Sequence, residues 1–331
     1  MLTAVKSAMR TGLMGLARLA SDPFGRRQVT RQAHLTRVFT HERAVWLQRV
    51  MAEHAEATHK LVTDQASAGF DRWKGQELET LLRFLRKKEY LAAIRAGDLA
   101  VPALHTAHPL AADSADTLHP RGARQDNSIC LRFNQRLYQL FDRRPRLSVL
   151  DLGCAGGGLV RTLIDDGHFA VGLEGSDYPL VNQFGEWGTI PHHLFTCDIT
   201  KPFTLTAGSP ARPIRFDAVT AWEVMEHIPE DRLAPLMANV EAHLAPGGWV
   251  LCSIATFTDR DAATGVVWHR TVRPRDWWVA RFAALGFVPD RAHPFGPYDW
   301  LRGSGNCRYD STPEDGTGFH LALRRAADVT G

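Results

Sequence analysis

Short apolar runs alternate with stretches of helical apolar spacing over roughly the last 200 residues, and this alternation is the main structural signal in the chain. The runs at 147–151, 170–174, 194–197, 216–221 and 249–254 are too short for helices, so each reads as a buried strand. Between them, apolar residues recur every three to four positions over 131–141, 233–244 and 275–285, which predicts helices with one buried face. Two later runs, 286–289 and 319–323, add a closing pair of strands. Repeated strand–helix–strand units pair in parallel through crossovers. The expected fold is therefore α/β, an open, doubly wound, seven-stranded and mostly parallel sheet with helices on both faces.

Upstream the pattern changes. Trp46, Val50, Met51, His54 and Leu61 fall on one face of a first helical segment, and Trp73, Leu78, Leu81, Leu82, Leu85 and Ile94 repeat the spacing in a second, which Gly97 ends. Residues 101–128 are rich in Pro, His, Ala, Gly and Asp and show no period. Three regions follow: a helical N-terminal region over 1–100 serving oligomerisation, docking or capping, a linker or lid over 101–127, and the α/β domain over 128–331.

The first strand runs into a glycine-rich turn, residues 148–158 (SVLDLGCAGGG), and the second ends on an acid, Glu174. Gly153, Gly156 and Gly157 let the backbone pass close to a ligand, and an acid closing the second strand can accept both hydroxyls of a ribose. Dinucleotide sites usually open such a turn with glycine. Here Asp151 stands at that point, which disfavours a pyrophosphate and suits a ligand carrying an amino group.

Composition narrows the partners rather than the fold. A net charge of +3 is too mild to argue for nucleic acid without a localised patch. The five cysteines show no CxxC spacing and read as reduced, mostly buried thiols of a cytoplasmic protein. No run of about 18 apolar residues suggests a membrane span. Leu2, Val5, Met9, Leu13, Leu16 and Leu19 do recur at helical spacing with Lys6, Arg10 and Arg18. They read as a terminal helix packed on the body or on a second copy of the chain, with peripheral membrane contact as the alternative.

The arrangement Asp-x-Gly-x-Ala-Gly-Gly resembles motif I of the class I S-adenosylmethionine (SAM) dependent methyltransferases, a Rossmann-like family that more often has glycine at the position of Ala155. Further matches follow in order: Glu174 at the ribose position, Asp198 after strand three at the adenine position, the fourth-strand run ending at Trp222, and the turn 244–248 before strand five. The resemblance implies SAM as cofactor, held by Asp151, Gly153, Ala155, Gly157, Glu174, Gly175, Asp198, Ile199 and Trp222.

Residues 222–228 (WEVMEHI) place Glu223, Glu226 and His227 at i, i+3 and i+4, on one face if the stretch is helical. Two carboxylates and an imidazole suit a divalent cation such as Mg2+. His269 lies in the loop after strand five, which opens on the same crevice. This set resembles that of metal-dependent ubiquinone-biosynthesis O-methyltransferases, which carry a Glu-x-x-Glu-His motif, and of small-RNA 2′-O-methyltransferases, which add a histidine. The resemblance makes Glu223, Glu226, His227 and His269 the ligands. A metal-free site with His227 or His269 as general base is the competing reading, with Glu223 beside them.

Trp268, Arg270, Arg273, Trp277, Trp278, Tyr298, Trp300 and Arg302 are candidates for shaping an acceptor site, and residues 119–127 for folding over it. Residues 171–177 (VGLEGSD) and 271–278 (TVRPRDWW) resemble strings in bacterial methyltransferases associated with polysaccharide or glycosylated-product synthesis. The first expectation is thus O-methylation of a sugar or glycan hydroxyl. An RNA-end 2′-O-methyltransferase, a quinone- or lipid-type O-methyltransferase and a non-enzymatic SAM-binding scaffold are the alternatives.

Overall fold

The computed structural model describes residues 101–301 and 317–329. The helical readings for 1–100, the amphipathic run at 2–19, Arg302 and Cys307 lie outside the described residues. In chain order the described part opens with β1 (Pro102–Thr106), the single-turn helices α1 (Ala115–Leu118) and α2 (Gly122–Gln125), and the longer α3 (Leu131–Leu140). The alternating part follows as β2 (Ser148–Leu152), α4 (Gly158–Asp165), β3 (Phe169–Glu174), α5 (Tyr178–Val181) and β4 (Leu194–Thr196). A small excursion, β5 (Phe203–Ala207) and β6 (Arg212–Pro213), precedes β7 (Phe216–Trp222), α6 (Leu233–His243), β8 (Leu244–Ala255) and α7 (Arg275–Ala284). The described chain closes with β9 (Phe287–Pro289), β10 (Gly318–Arg325) and α8 (Ala326–Val329).

Seven strands form one sheet in the order β4-β3-β2-β7-β8-β10-β9. The first five pair in parallel, and β10 runs antiparallel to both β8 and β9. This is the mostly parallel seven-stranded sheet that the sequence predicts. Strand order reverses at β2, so the loops after β2, β3, β7 and β8 leave one rim of the sheet and open a crevice there.

The central strands of the large sheet are mostly apolar because both faces are covered. Leu147 and Val149 belong to the cluster packed by Phe133, Leu137, Leu159 and Leu163 of α3 and α4. Leu150 and Leu152 point the other way, into the cluster holding Leu236, Met237 and Val240 of α6 and Phe282 of α7. Each such side chain contributes about 1.5–3 kcal/mol on burial. Trp278 and Trp300 are fully buried in these clusters, which removes both from the acceptor site expected for them.

Several elements depart from the sequence reading. The fifth parallel strand starts at Leu244 rather than Trp249, because Leu244 pairs with Phe216 before a bulge shifts the register. The aperiodic segment 101–128 contains β1, which joins β5 and β6 in a second, three-stranded antiparallel sheet. His105, read as part of a loop, there bonds Thr206 across the strands at 2.9 Å.

Gly172 in β3 has no room for a side chain. A Cβ there would lie 2.7 Å from Cys154 Sγ and 2.8 Å from Leu194 Cδ2. Gly172→Ala is expected to cost about 1–3 kcal/mol of stability, the usual range for overpacking. Because Cys154 belongs to the glycine-rich turn, SAM binding should weaken as well. Urea unfolding together with calorimetric titration of SAM checks both.

Candidate active site

Chain reversal after β2 builds the first wall of the crevice. Gly153 adopts φ +69° and Gly157 φ +82°, a left-handed region where side chains are strained. A Cβ on Gly153 would also collide with Val224. The turn is held to the next strand because the Gly153 and Cys154 N–H groups donate to the Leu173 carbonyl at 2.7 and 3.0 Å. Ala155 also has positive φ, +45°, a conformation that glycine adopts without strain. At Gly156 the close neighbour is protein rather than ligand, since a Cβ would meet Asn127 Oδ1 at 2.7 Å.

Glu174 ends β3 and reaches back to that turn. Its Oε2 accepts the Ala155 N–H at 2.9 Å and its Oε1 the Ser176 N–H at 3.1 Å. Burial pushes its carboxyl above the ordinary range, with these backbone donors opposing. Asp198, after β4, accepts the Thr200 N–H and hydroxyl at 2.9 and 2.6 Å.

A cavity of about 600 Å³ opens between these groups. Gly153, Ala155, Glu174, Gly175, Asp198, Ile199 and Trp222 all line it, as do Glu223, His227 and His269. Asp151, Gly157 and Glu226 are not on the wall. Asp151 is committed to the Thr220 hydroxyl at 2.6 Å within the sheet. Burial, with Glu174 adding to it against the Thr220 bond, pushes Asp151 up to about 7. Gly157 instead turns the chain into α4, against the Leu194 side chain. Both support the pocket from behind its lining.

The segment after β7 is not the α-helix that i, i+3, i+4 spacing presumes. Glu223 sits at φ +56°, and only Met225–His227 winds, as a 3-10 turn. Three groups still converge: a carboxylate oxygen of Glu226 and a ring nitrogen each from His227 and His269 lie within 4.8 Å of one another. Glu223 lies outside this set but lines the cavity. Glu226 is fully buried, with Oε1 accepting the Ala255 N–H at 3.0 Å and Oε2 without a hydrogen-bond partner among the described residues. Burial first, and Glu223 second, hold its carboxyl well above the usual carboxylate range.

The histidines are oriented from outside. His269 Nδ1–H donates to the Phe257 carbonyl at 2.6 Å, and burial lowers its pKa. A carbonyl can only accept, so Nε2 carries the free lone pair. His227 Nδ1 bonds the Asp116 carboxylate at 2.8 Å. Burial opposes charge on His227, but Asp116, Glu226 and Glu223 outweigh it and raise the ring to about 9. An orphaned buried carboxylate oxygen and two imidazoles whose Nδ1 atoms are engaged elsewhere fit a divalent cation of mixed O/N preference.

Trp268 and Arg270 also line the cavity, whereas Arg273, Trp277 and Tyr298 do not. The residues that sequence reading missed are Asp113, Asp116, Phe257 and Asp259. Arg121 packs over the Trp268 ring at 5.2 Å and pairs with both oxygens of Asp259 at 2.6 and 2.7 Å. Arg232 pairs with Asp113 at 2.6 Å. No single-residue signal marks these acids; only the folding of residues 111–127 along the crevice does.

A family model described as a methyltransferase domain matches residues 123–293, more than half of the chain. The chain belongs to that family, and its fold and motifs are those of a class I SAM-dependent methyltransferase. It is 32% identical over 120 residues to the ubiquinone biosynthesis O-methyltransferase of Serratia proteamaculans, covering 36% of this chain and 45% of that one. The enzyme of the same description from Thiobacillus denitrificans is 31% identical over 108 residues, covering 32% and 43%. The chain thus spans less than half the length of these curated relatives. A solved glycopeptide N-methyltransferase, MtfA complexed with SAM, is 18% identical over 58% of this chain and 86% of that one, with a TM-score of 0.39, too distant to argue from. Among the described residues no helix is long and apolar enough to cross a membrane.

Proposed function

We propose that the protein transfers the methyl group of SAM to a hydroxyl of a sugar or glycan, assisted by a divalent cation on Glu226, His227 and His269. The observation that carries the reading is charge balance. Glu174, Asp198 and Glu226 are buried around the crevice, with Asp151 behind it. The nearby Arg121 and Arg232 are already paired with Asp259 and Asp113. The other described positive groups near these acids are His227 beside Glu226 and Arg270 on the cavity wall. Buried carboxylates with so little counter-charge are costly, and a sulfonium amino acid plus a cation adds to it.

Glu174 would hold the ribose and Asp198 the adenine. When bound, the cation would lower the pKa of the acceptor hydroxyl and fix two adjacent oxygens. Glu223, on the cavity wall but outside the three-donor set, would take the hydroxyl proton. The O–CH3 bond forms as the S–CH3 bond breaks, so the chain must hold acceptor oxygen, methyl carbon and sulfur in line at about 3 Å. Beside the histidines, the exposed ring of Phe257 offers a flat apolar face while Arg121 and Arg270 offer polar groups, a mixture suited to a sugar ring. The region 1–100 would serve oligomerisation, docking or capping.

A quinol or catechol acceptor is the second reading. It is favoured by seven relatives named as ubiquinone biosynthesis O-methyltransferases and by Phe257, which is 43% exposed. Such a ring also offers two adjacent oxygens. Labelled SAM with panels of glycans, catechols and RNA oligomers, each with and without chelator, separates the readings. The expected result is label on a glycan, lost on chelation and restored by a divalent cation. Turnover that survives chelation would remove the cation from the scheme.

A further inference from the structure

We infer that Asp116 is a positioning residue that locks the His227 ring through Nδ1 and so commits Nε2 to the cation. The inference rests on the cation reading above. The family match begins at residue 123, so Asp116 enters the site from a segment outside the matched span. It reaches the site on α1, whose own geometry explains why a carboxylate stands there. Ser114 caps the turn by accepting the Asp116 N–H at 3.2 Å, which places the Asp116 side chain in the first turn, 2.8 Å from His227 Nδ1. The pair is largely shielded, with side-chain exposures of 25% and 21%. It is therefore not a solvated surface ion pair, which would be worth little.

Asp116 is not needed to keep α1 in place. The Ala111 N–H and the Thr117 hydroxyl both donate to the Gly175 carbonyl, at 3.0 and 3.1 Å. The Asp113–Arg232 pair and a bond from Trp268 Nε1–H to the His119 carbonyl at 3.1 Å hold the flanks. With the segment anchored on both sides, the Asp116 carboxylate has one side-chain partner among the described residues, His227. His269 has an equivalent support in the Phe257 carbonyl, so both imidazoles are fixed through Nδ1. Fixing a ligand ring from behind sets its tautomer and removes rotational freedom that binding would otherwise have to quench.

Calorimetric titration of Mn2+ into the full-length protein, alongside kcat and KM for SAM, tests this. Asp116→Ala should lower Mn2+ affinity and kcat by about 10–100-fold, the range for losing such a partner, with KM for SAM and affinity for S-adenosylhomocysteine within about twofold. Asp116→Asn retains an oxygen that can accept the Nδ1–H and should recover to within about fivefold of the parent. Asp116→Ala with parental Mn2+ affinity overturns the positioning role while leaving the cation site standing. Asp116→Asn as impaired as Asp116→Ala also overturns it, because charge rather than orientation would then be what matters. A parent protein that takes up no Mn2+ overturns the cation reading and this inference with it.

Discussion

Replacing Glu174 with alanine is expected to weaken SAM binding by about 3 kcal/mol or more, roughly a hundredfold or more in Kd, the sum of two charge-assisted hydrogen bonds to ribose hydroxyls. Two physical effects act in the same direction. The carboxylate at the end of β3 takes the ribose in the proposed function, and it is also the brace that receives the Ala155 N–H at 2.9 Å. Without it the buried Ala155 donor loses its partner at a residue already strained at φ +45°. Glu174→Gln should fall between parent and alanine, because one amide oxygen still accepts while the NH2 group faces a donor. Titration of SAM and S-adenosylhomocysteine, with circular dichroism to confirm folding, reads the effect. Affinity unchanged in Glu174→Ala would mean that the end of β3 does not contact the ribose.

The sheet and cofactor wall were legible in the sequence because they depend on local signals. A five-residue apolar run buried on both faces has few alternatives to a parallel strand, and left-handed turns after such a strand favour glycine. Ala155 shows the strength of that rule: it occupies a positive φ that glycine would fill without strain. The crevice chemistry was only half legible. Glu226 and His227 stand near His269, as their spacing and the loop after the fifth strand predict, but the assumed helix fails at Glu223, whose backbone is left-handed and whose N–H donates to Ser253. Trp278 and Trp300 look like acceptor-site aromatics in sequence, yet they are core because their faces of the fold are covered. Asp116, 111 residues away from His227 in sequence, was invisible, since no periodicity links a single-turn helix to a site so distant along the chain. β1 was missed for the same reason: its partner strand β5 lies about 100 residues downstream, and pairing across that distance leaves no local pattern.

Glu226→Gln is expected to abolish the response to cation and lower kcat by more than 100-fold without destabilising the fold, since losing a ligand should exceed the 10–100-fold cost of losing an outer partner. Glu226 is fully buried, one oxygen accepts the Ala255 N–H, and the other has no hydrogen-bond partner among the described residues. Burial and the nearby Glu223 charge both disfavour its ionised form, against a smaller opposing pull from His227. An acid held that way is a burden on the fold unless a cation relieves it, so a neutral amide of the same shape should leave Tm equal or higher. The Ala255 N–H keeps its acceptor in the glutamine variant, and no cavity is created, which makes Gln a cleaner probe than Ala. Differential scanning calorimetry with and without Mn2+ separates the two consequences. At a hundred times Kd the parent should gain about 2.7 kcal/mol from the ion, and Glu226→Gln should gain none. Affinity for S-adenosylhomocysteine should stay at the parental value, since Glu174 and Asp198, the acids proposed for ribose and adenine, are untouched. Full turnover together with an intact cation response in Glu226→Gln would move the ion away from this carboxylate, leaving the buried acid as an unexplained cost in a site otherwise matched to positive ligands.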